Sequence, residues 1–187
     1  MKWFTADCHF GHEKLAKSRG FTGSEEHDAH LLDILNMLVK RNDELLILGD
    51  FAFGNPQKYR LRIACRHVKL IIGNHDKPLA STKTFGDVRQ IYTTKVCGQH
   101  SVLCHYPMAF WPASHHGSFH LYGHTHAMRE CTLDKAFPGR RSIDVGVDNA
   151  KRLFDCYTPF NEQWIYNTLI ERESHDLVTY YDAQRAM

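Results

Sequence analysis

The chain has 187 residues, 43% hydrophobic and 24% charged, with 23 basic against 21 acidic side chains for a formal net charge of +2. That balance suits an ordinary packed core and excludes a disordered chain, and it argues against bulk nucleic-acid binding or a membrane surface. No apolar run approaches the ~18 residues of a transmembrane helix, and Lys2 to Asp7 is interrupted too soon for a secretion signal. A cytoplasmic location follows as the expectation, with the six scattered cysteines, none in a C-x-x-C pair, kept reduced.

Residues 2–6 read as a strand, and residues 7–13 as a loop whose polar composition core packing does not explain. Thr22-Gly23-Ser24-Glu25 has the form of a capping box, and Leu31, Ile34, Leu35 and Leu38 recur at helical spacing, so a helix should run to about Val39. Glu44 to Leu48 is a second strand. Pro56 opens a helix carrying Tyr59, Leu61, Ile63 and Ala64, and a strand follows at 67–72. This βαβαβ rhythm predicts a mainly parallel sheet with covering helices. Further on, Gln90 to Val96 and His100 to Cys104 flank Cys97-Gly98-Gln99 as a hairpin. Residues 107–118 form a loop rich in aromatic and His side chains. Phe119 to Tyr122 and Ser142 to Val147 are strand candidates. Thr158 and Pro159 have the types of an N-cap and first helical residue, with a helix to about Glu173. No repeat or linker divides the chain, so residues 1–187 are expected to form a single domain.

Five strand-like runs end in polar groups of metal-ligand type. They lead into Asp7-Cys8-His9, Gly49-Asp50, Gly73-Asn74-His75-Asp76, His105-Tyr106-Pro107 and Gly123-His124-Thr125-His126. The carboxyl ends of strands are where α/β sheets bind ligands. Asp7, His9, Asp50, Asn74, His105, His124 and His126 are too many donors for one tetrahedral zinc. They suit two ions sharing a carboxylate, and two such ions can clamp a phosphoryl group and activate a water. Mixed imidazole and carboxylate donors favour manganese, iron, zinc or nickel over calcium or magnesium. His75 is then left beside the ligands as a proton donor or charge stabiliser.

These five ordered motifs resemble those of the calcineurin-like metallophosphoesterases, over residues 7 to 126. Phe10-Gly11-His12-Glu13 is similar to a small bacterial and phage branch of that family. The resemblance implies an α/β fold, an α/β/β/α sandwich of two mixed sheets with a dinuclear metal site at the strand ends. It implies that Asp7, His9 and His126 hold one ion, that Asn74, His105 and His124 hold the other, that Asp50 bridges them, and that His75 is catalytic. Where many members read Gly-Asp-x-x-Asp, this chain has Asp50 followed by Phe51-Ala52-Phe53, so a second carboxylate is missing.

The expected function is a dinuclear metal-dependent phosphoesterase, a phosphodiesterase before a monoesterase, with manganese the first choice of metal. Its substrate is expected to be a small phosphate ester, nucleotide-like. A nuclease and a metal-binding module without turnover are the alternatives, and nothing fixes an oligomeric state. His12 and Asn74 are further candidates for substrate contact. Cys8 reads as packing, Asp76 as an acceptor for a nearby ligand or as a turn residue, and Asp144 and Asp148 as structural. Arg19 and Arg89 have the chemistry to bind phosphate but are expected to face solvent. Phe110, Trp111 and Phe119 are either a base-stacking surface or core, and the remaining histidines, His175 among them, are surface or structural.

Overall fold

The first three strands are buried almost throughout, and their side chains alternate with a period of two between the two faces of the sheet. In the computed structural model, which describes residues 1–86 and 88–172, these strands are β1 (Lys2–Thr5), β2 (Glu44–Leu48) and β3 (His67–Ile71), parallel and in register. Trp3, Leu45, Ile47, Val68 and Leu70 face one core with Leu31, Leu32 and Leu35 of helix α2 (Ser24–Leu38). Phe4, Leu46, Leu48 and Ile71 face a second core. The sheet order is β4-β3-β2-β1-β9, with β4 (Val88–Arg89) parallel and β9 (Phe160–Asn161) antiparallel to its neighbour.

The second core is closed by another mixed sheet, ordered β5-β6-β7-β8. Here β5 (Ile91–Val96) and β6 (Gln99–Cys104) form the expected hairpin, turning through Cys97 and Gly98, both at positive φ as a two-residue turn requires. Strands β7 (Phe119–Tyr122) and β8 (Ser142–Asp144) run parallel to β6 and to each other. Phe119, Leu121 and Ile143 point inward. On the outer face Trp111 tilts against His120, and the Tyr122 hydroxyl bonds Glu130 of helix α5 (Glu130–Ala136). Trp111 and Phe119 are therefore core, while Phe110 is exposed against Phe137. Helices and loop thus cover two stacked mixed sheets, and among the described residues no helix is long and apolar enough to cross a membrane.

Several boundaries differ from expectation. Thr22 bonds Glu26, not Glu25, and Gly23 is the N-cap, so no reciprocal capping box forms. The Pro56 helix, α3, ends at Arg60 and leaves Leu61 exposed. The strand from Ser142 stops at Asp144 because the chain turns into helix α6 (Val147–Phe154). Thr158 and Pro159 lead into β9 instead of a helix. Asn161 is the true N-cap of helix α7 (Glu162–Ile170), its side chain accepting from the Trp164 N–H. The short helices α1 (Glu13–Ser18) and α4 (Pro78–Phe85), like α5, carry too little apolar periodicity to be read from sequence, and α6 is only two turns long behind a strand signal that extends into its first residue. Glu173 and His175 lie outside the described residues.

Candidate metal centre

The carboxyl ends of β1, β2 and β3 in one sheet and of β6, β7 and β8 in the other converge at one edge of the stack. A parallel bridge from Ala6 to Gly146 joins the two sheets there. Two groups of donors result. Ligand atoms of Asp7, His9 and His126 lie within 4.8 Å of one another, and so do those of Asp50, His105 and His124. Asp50 stands between the groups, its Oδ2 3.5 Å from both His9 Nε2 and His105 Nε2. Asn74 Oδ1 is 3.1 Å from His105 Nε2, which places it with the second group. The structure thus brings all seven expected donors together. The exposed His75 ring sits at their edge, 5.3 Å from the His9 ring, and its main-chain N–H donates to Asp50 Oδ1 at 2.9 Å.

The backbone that presents these groups is strained. Asp7, His9, Asp50, His124 and His126 all have φ between +48° and +69°, where a residue with a Cβ is disfavoured, at about 1–3 kcal/mol each. Space is equally restricted. A Cβ on Gly123 would come within 2.7 Å of Asp7 Oδ2, and one on Gly73 would collide with the Asp50 carboxylate. Carboxylates hold the turns in place. Asp76 accepts from the N–H groups of Asp50, Phe51 and Gly73 at 2.8–2.9 Å, tying the turn after β2 to the turn after β3. Asp144 accepts from the Thr125 hydroxyl at 2.7 Å and from the Gly146 N–H at 2.6 Å, tying β7 to β8. Asp7 Oδ2 accepts from the His124 N–H at 2.9 Å.

The donor atoms fit a cation. Asp7 Oδ1 and both ring nitrogens of His9 are buried without a hydrogen-bond partner, an arrangement that costs free energy unless something binds them. His105 Nδ1 donates to the Leu48 carbonyl at 2.8 Å, which turns Nε2 inward, and His126 Nδ1 pairs with Asp148 at 2.6 Å to the same effect. Burial, reinforced by Asp144, pushes the Asp7 carboxyl up to about 7. Burial also drives His9 down to about 3, against the pull of Asp50. Asp50 overcomes its own burial through its bond to His105 and is held at about 2. His9 is neutral and Asp50 ionised at neutral pH, as metal ligands must be.

Around the opening, Tyr106 and Phe53 are each about half exposed. Tyr106 lies 4.8 Å from the His124 ring, and Phe53 lies 5.8 Å from the His75 ring. His12 caps α1, its Nδ1 accepting from the Leu15 N–H, with its ring 4.5 Å from Phe53. Cys8 is buried core, and His115 and His116 are exposed in the 107–118 loop. Arg19 does not face solvent. Its guanidinium is buried, bound to Asp148 and to main-chain carbonyls of the first motif. The sequence carried one signal of this: the strand Ser142–Asp144 is a sixth one followed closely by an acid, Asp148.

No family model matches the chain. It is 30% identical over 185 residues to the gene 66 protein of Mycobacterium phage L5, covering 81% of this chain and 88% of that protein. It is 28% identical over 178 residues to the gene 66 protein of Mycobacterium phage D29, covering 78% and 87%. In fold it is similar to the protein of unknown function AQ665 from Aquifex aeolicus, with a TM-score of 0.69 at 24% identity over 90% of this chain and 98% of that one.

Proposed function

The chain belongs to the family of the mycobacteriophage gene 66 proteins, and from the geometry of its site we propose that it is a phosphoesterase working with two divalent transition-metal ions. The observation that carries this reading is the pair of three-residue ligand groups with Asp50 reaching both. In it, Asp7, His9 and His126 hold one ion, and Asn74, His105 and His124 hold the other. The donor set suits manganese first, with iron, zinc or nickel as alternatives. Ions held there would supply the Lewis acidity that polarises a phosphoryl group and lowers the pKa of a water.

The chain's own groups have distinct tasks in this reading. Asp50 shares its charge between the two positions. Its Oδ1 also takes the His75 N–H, so the acid that spans the site sets where the His75 ring stands. That ring is exposed at the opening and can give a proton to a leaving oxygen. The aromatic faces of Tyr106 and Phe53 beside the opening favour an ester with a flat group, such as a base, and the balanced charge offers no long basic groove for a polynucleotide. A small nucleotide-like diester is therefore the preferred substrate, with His12 and Asn74 at the rim to contact it.

Purified protein is expected to take up two ions per chain. It should hydrolyse bis(p-nitrophenyl) phosphate ahead of p-nitrophenyl phosphate, lose that activity to a chelator and regain it with Mn²⁺. Cyclic nucleotides and single-stranded DNA in the same screen separate a small-substrate enzyme from a nuclease. Ion uptake with no hydrolysis of any ester would leave a binding module and end the enzyme reading.

A further inference from the structure

Behind the Asp7, His9 and His126 group lies a pair of charges that contact no ligand of the other group. Asp148, in the first turn of α6, takes His126 Nδ1 and Arg19 Nη2 on the same oxygen, Oδ2, each at 2.6 Å. Arg19 Nε donates to its other oxygen at 2.9 Å. The Arg19 side chain is only 4% exposed. It comes from the C-cap of α1 and also donates to the carbonyls of Asp7 at 2.8 Å and Cys8 at 3.2 Å, with His27 Nε2 2.9 Å away. One guanidinium therefore joins the loop carrying the first two ligands to the acid that touches the third. The second group is built otherwise: His105 is held by a main-chain carbonyl, that of Leu48.

We propose that Asp148, held by Arg19, is a positioning residue that fixes the tautomer of His126 and thereby the ion affinity of the Asp7, His9 and His126 position alone. The inference rests on the reading of this site as a metal centre. An ionised carboxylate only accepts, so His126 must carry its proton on Nδ1 and present a lone pair at Nε2. Arg19 only donates, so its two bonds occupy the Asp148 oxygens and hold them in place against other donors.

Two variants separate the acceptor from the space it fills. Asp148→Ala removes both, whereas Asp148→Leu refills the volume but accepts no hydrogen bond. In either, His126 Nδ1 loses the group that holds its proton and faces Arg19, which only donates, so the proton moves to Nε2 and closes the lone pair. Mn²⁺ titration calorimetry of the metal-stripped full chain should show two positions in the wild type. In both variants one should weaken about 10–100-fold, the usual cost of losing such a partner, and the other should hold. A packing role predicts that leucine restores the affinity, so a leucine variant near wild type, or weakening of both positions together, overturns the proposal. Imidazole ¹⁵N shifts of His126 at about pH 9, where imidazole is neutral, read the tautomer without metal: Nδ1–H in the wild type and Nε2–H in Asp148→Leu. Nδ1–H in both overturns it too. Wild-type protein that binds no Mn²⁺ removes the metal-centre reading itself and this proposal with it, and that result is visible before any variant is compared.

Discussion

In excess chelator, the protein should be made more stable by Asp7→Asn in alkali and less stable in acid. Burial raises the Asp7 carboxyl from 3.8 to about 7. An acid raised on folding contributes stability below its unfolded value, and that stability is lost as pH climbs through the folded value. At 1.36 kcal/mol per tenfold, the ionised carboxylate costs the metal-free fold roughly 4 kcal/mol above pH 7. Asparagine removes that cost but puts an amide nitrogen near the place of the unpartnered Oδ1, a buried unsatisfied donor worth about 1–3 kcal/mol. The net is a gain of roughly 1–3 kcal/mol at pH 8 and a loss of similar size near pH 4, with the sign changing between about pH 4.5 and 6. His9, held down to about 3 by burial, works the other way, since its contribution is lost as pH falls below the ordinary histidine range. It is present in both proteins and largely cancels in the difference. Urea unfolding of both proteins in excess chelator, at pH 5 and pH 8, measures the swing. An asparagine variant less stable than wild type at both values would refute the account of Asp7 as a carboxylate held ready for a cation. Mn²⁺ at 100 times its Kd should then stabilise the wild type by about 2.7 kcal/mol and the variant by less.

Asp50→Asn should harm catalysis at limiting metal more than Asp7→Asn, since Asp50 reaches donors of both groups and positions His75; turnover near wild type in Asp50→Asn would remove its spanning role. His75→Ala should keep both ions while turnover falls about 10²–10⁴-fold for alkoxide leaving groups and less for p-nitrophenolate, which needs little protonation; loss of an ion would make His75 a ligand instead. Arg19→Met should cost about 3–5 kcal/mol in urea unfolding, because it strands the partly buried Asp148 charge; a loss below about 1 kcal/mol would mean that solvent screens the pair.

The chain made its core strands and its ligands legible for one physical reason. A strand buried on both faces is an almost continuous apolar run, as Leu45–Leu48 is throughout and Phe119–Tyr122 is apart from His120. The residue types that follow them belong to no core, so they stood out at the right ends. What stayed hidden was set by contacts between segments distant in sequence. Arg19 looks like any surface arginine until α6 brings Asp148 against it, 129 residues away. Thr158-Pro159 carries a sound local helix signal, but pairing of Phe160 with Phe4 draws the next residues into the sheet edge and moves the cap to Asn161. The missing second carboxylate of the Gly-Asp-x-x-Asp pattern has a visible counterpart in Phe53, tilted against His75.

Two kinds of acid share this site, and the difference between them explains what holds its turns together. Five candidate ligands adopt positive φ, which at about 1–3 kcal/mol each is a sum comparable with the whole stability of a typical domain. The ligand acids can offset little of that, because Asp7 keeps one oxygen without a partner. The load falls on Asp76 and Asp144, which spend their oxygens on main-chain N–H groups and on Thr125. Hydrogen bonds to an ionised acid contribute about 1.5–3 kcal/mol each, and burial works against them by raising both the Asp76 and the Asp144 carboxyl. With three N–H groups on Asp76, the turn that carries Asp50 and the turn that carries Asn74 and His75 are tied into one unit. The geometry of the donors is therefore paid for by residues that need never touch the metal or the substrate.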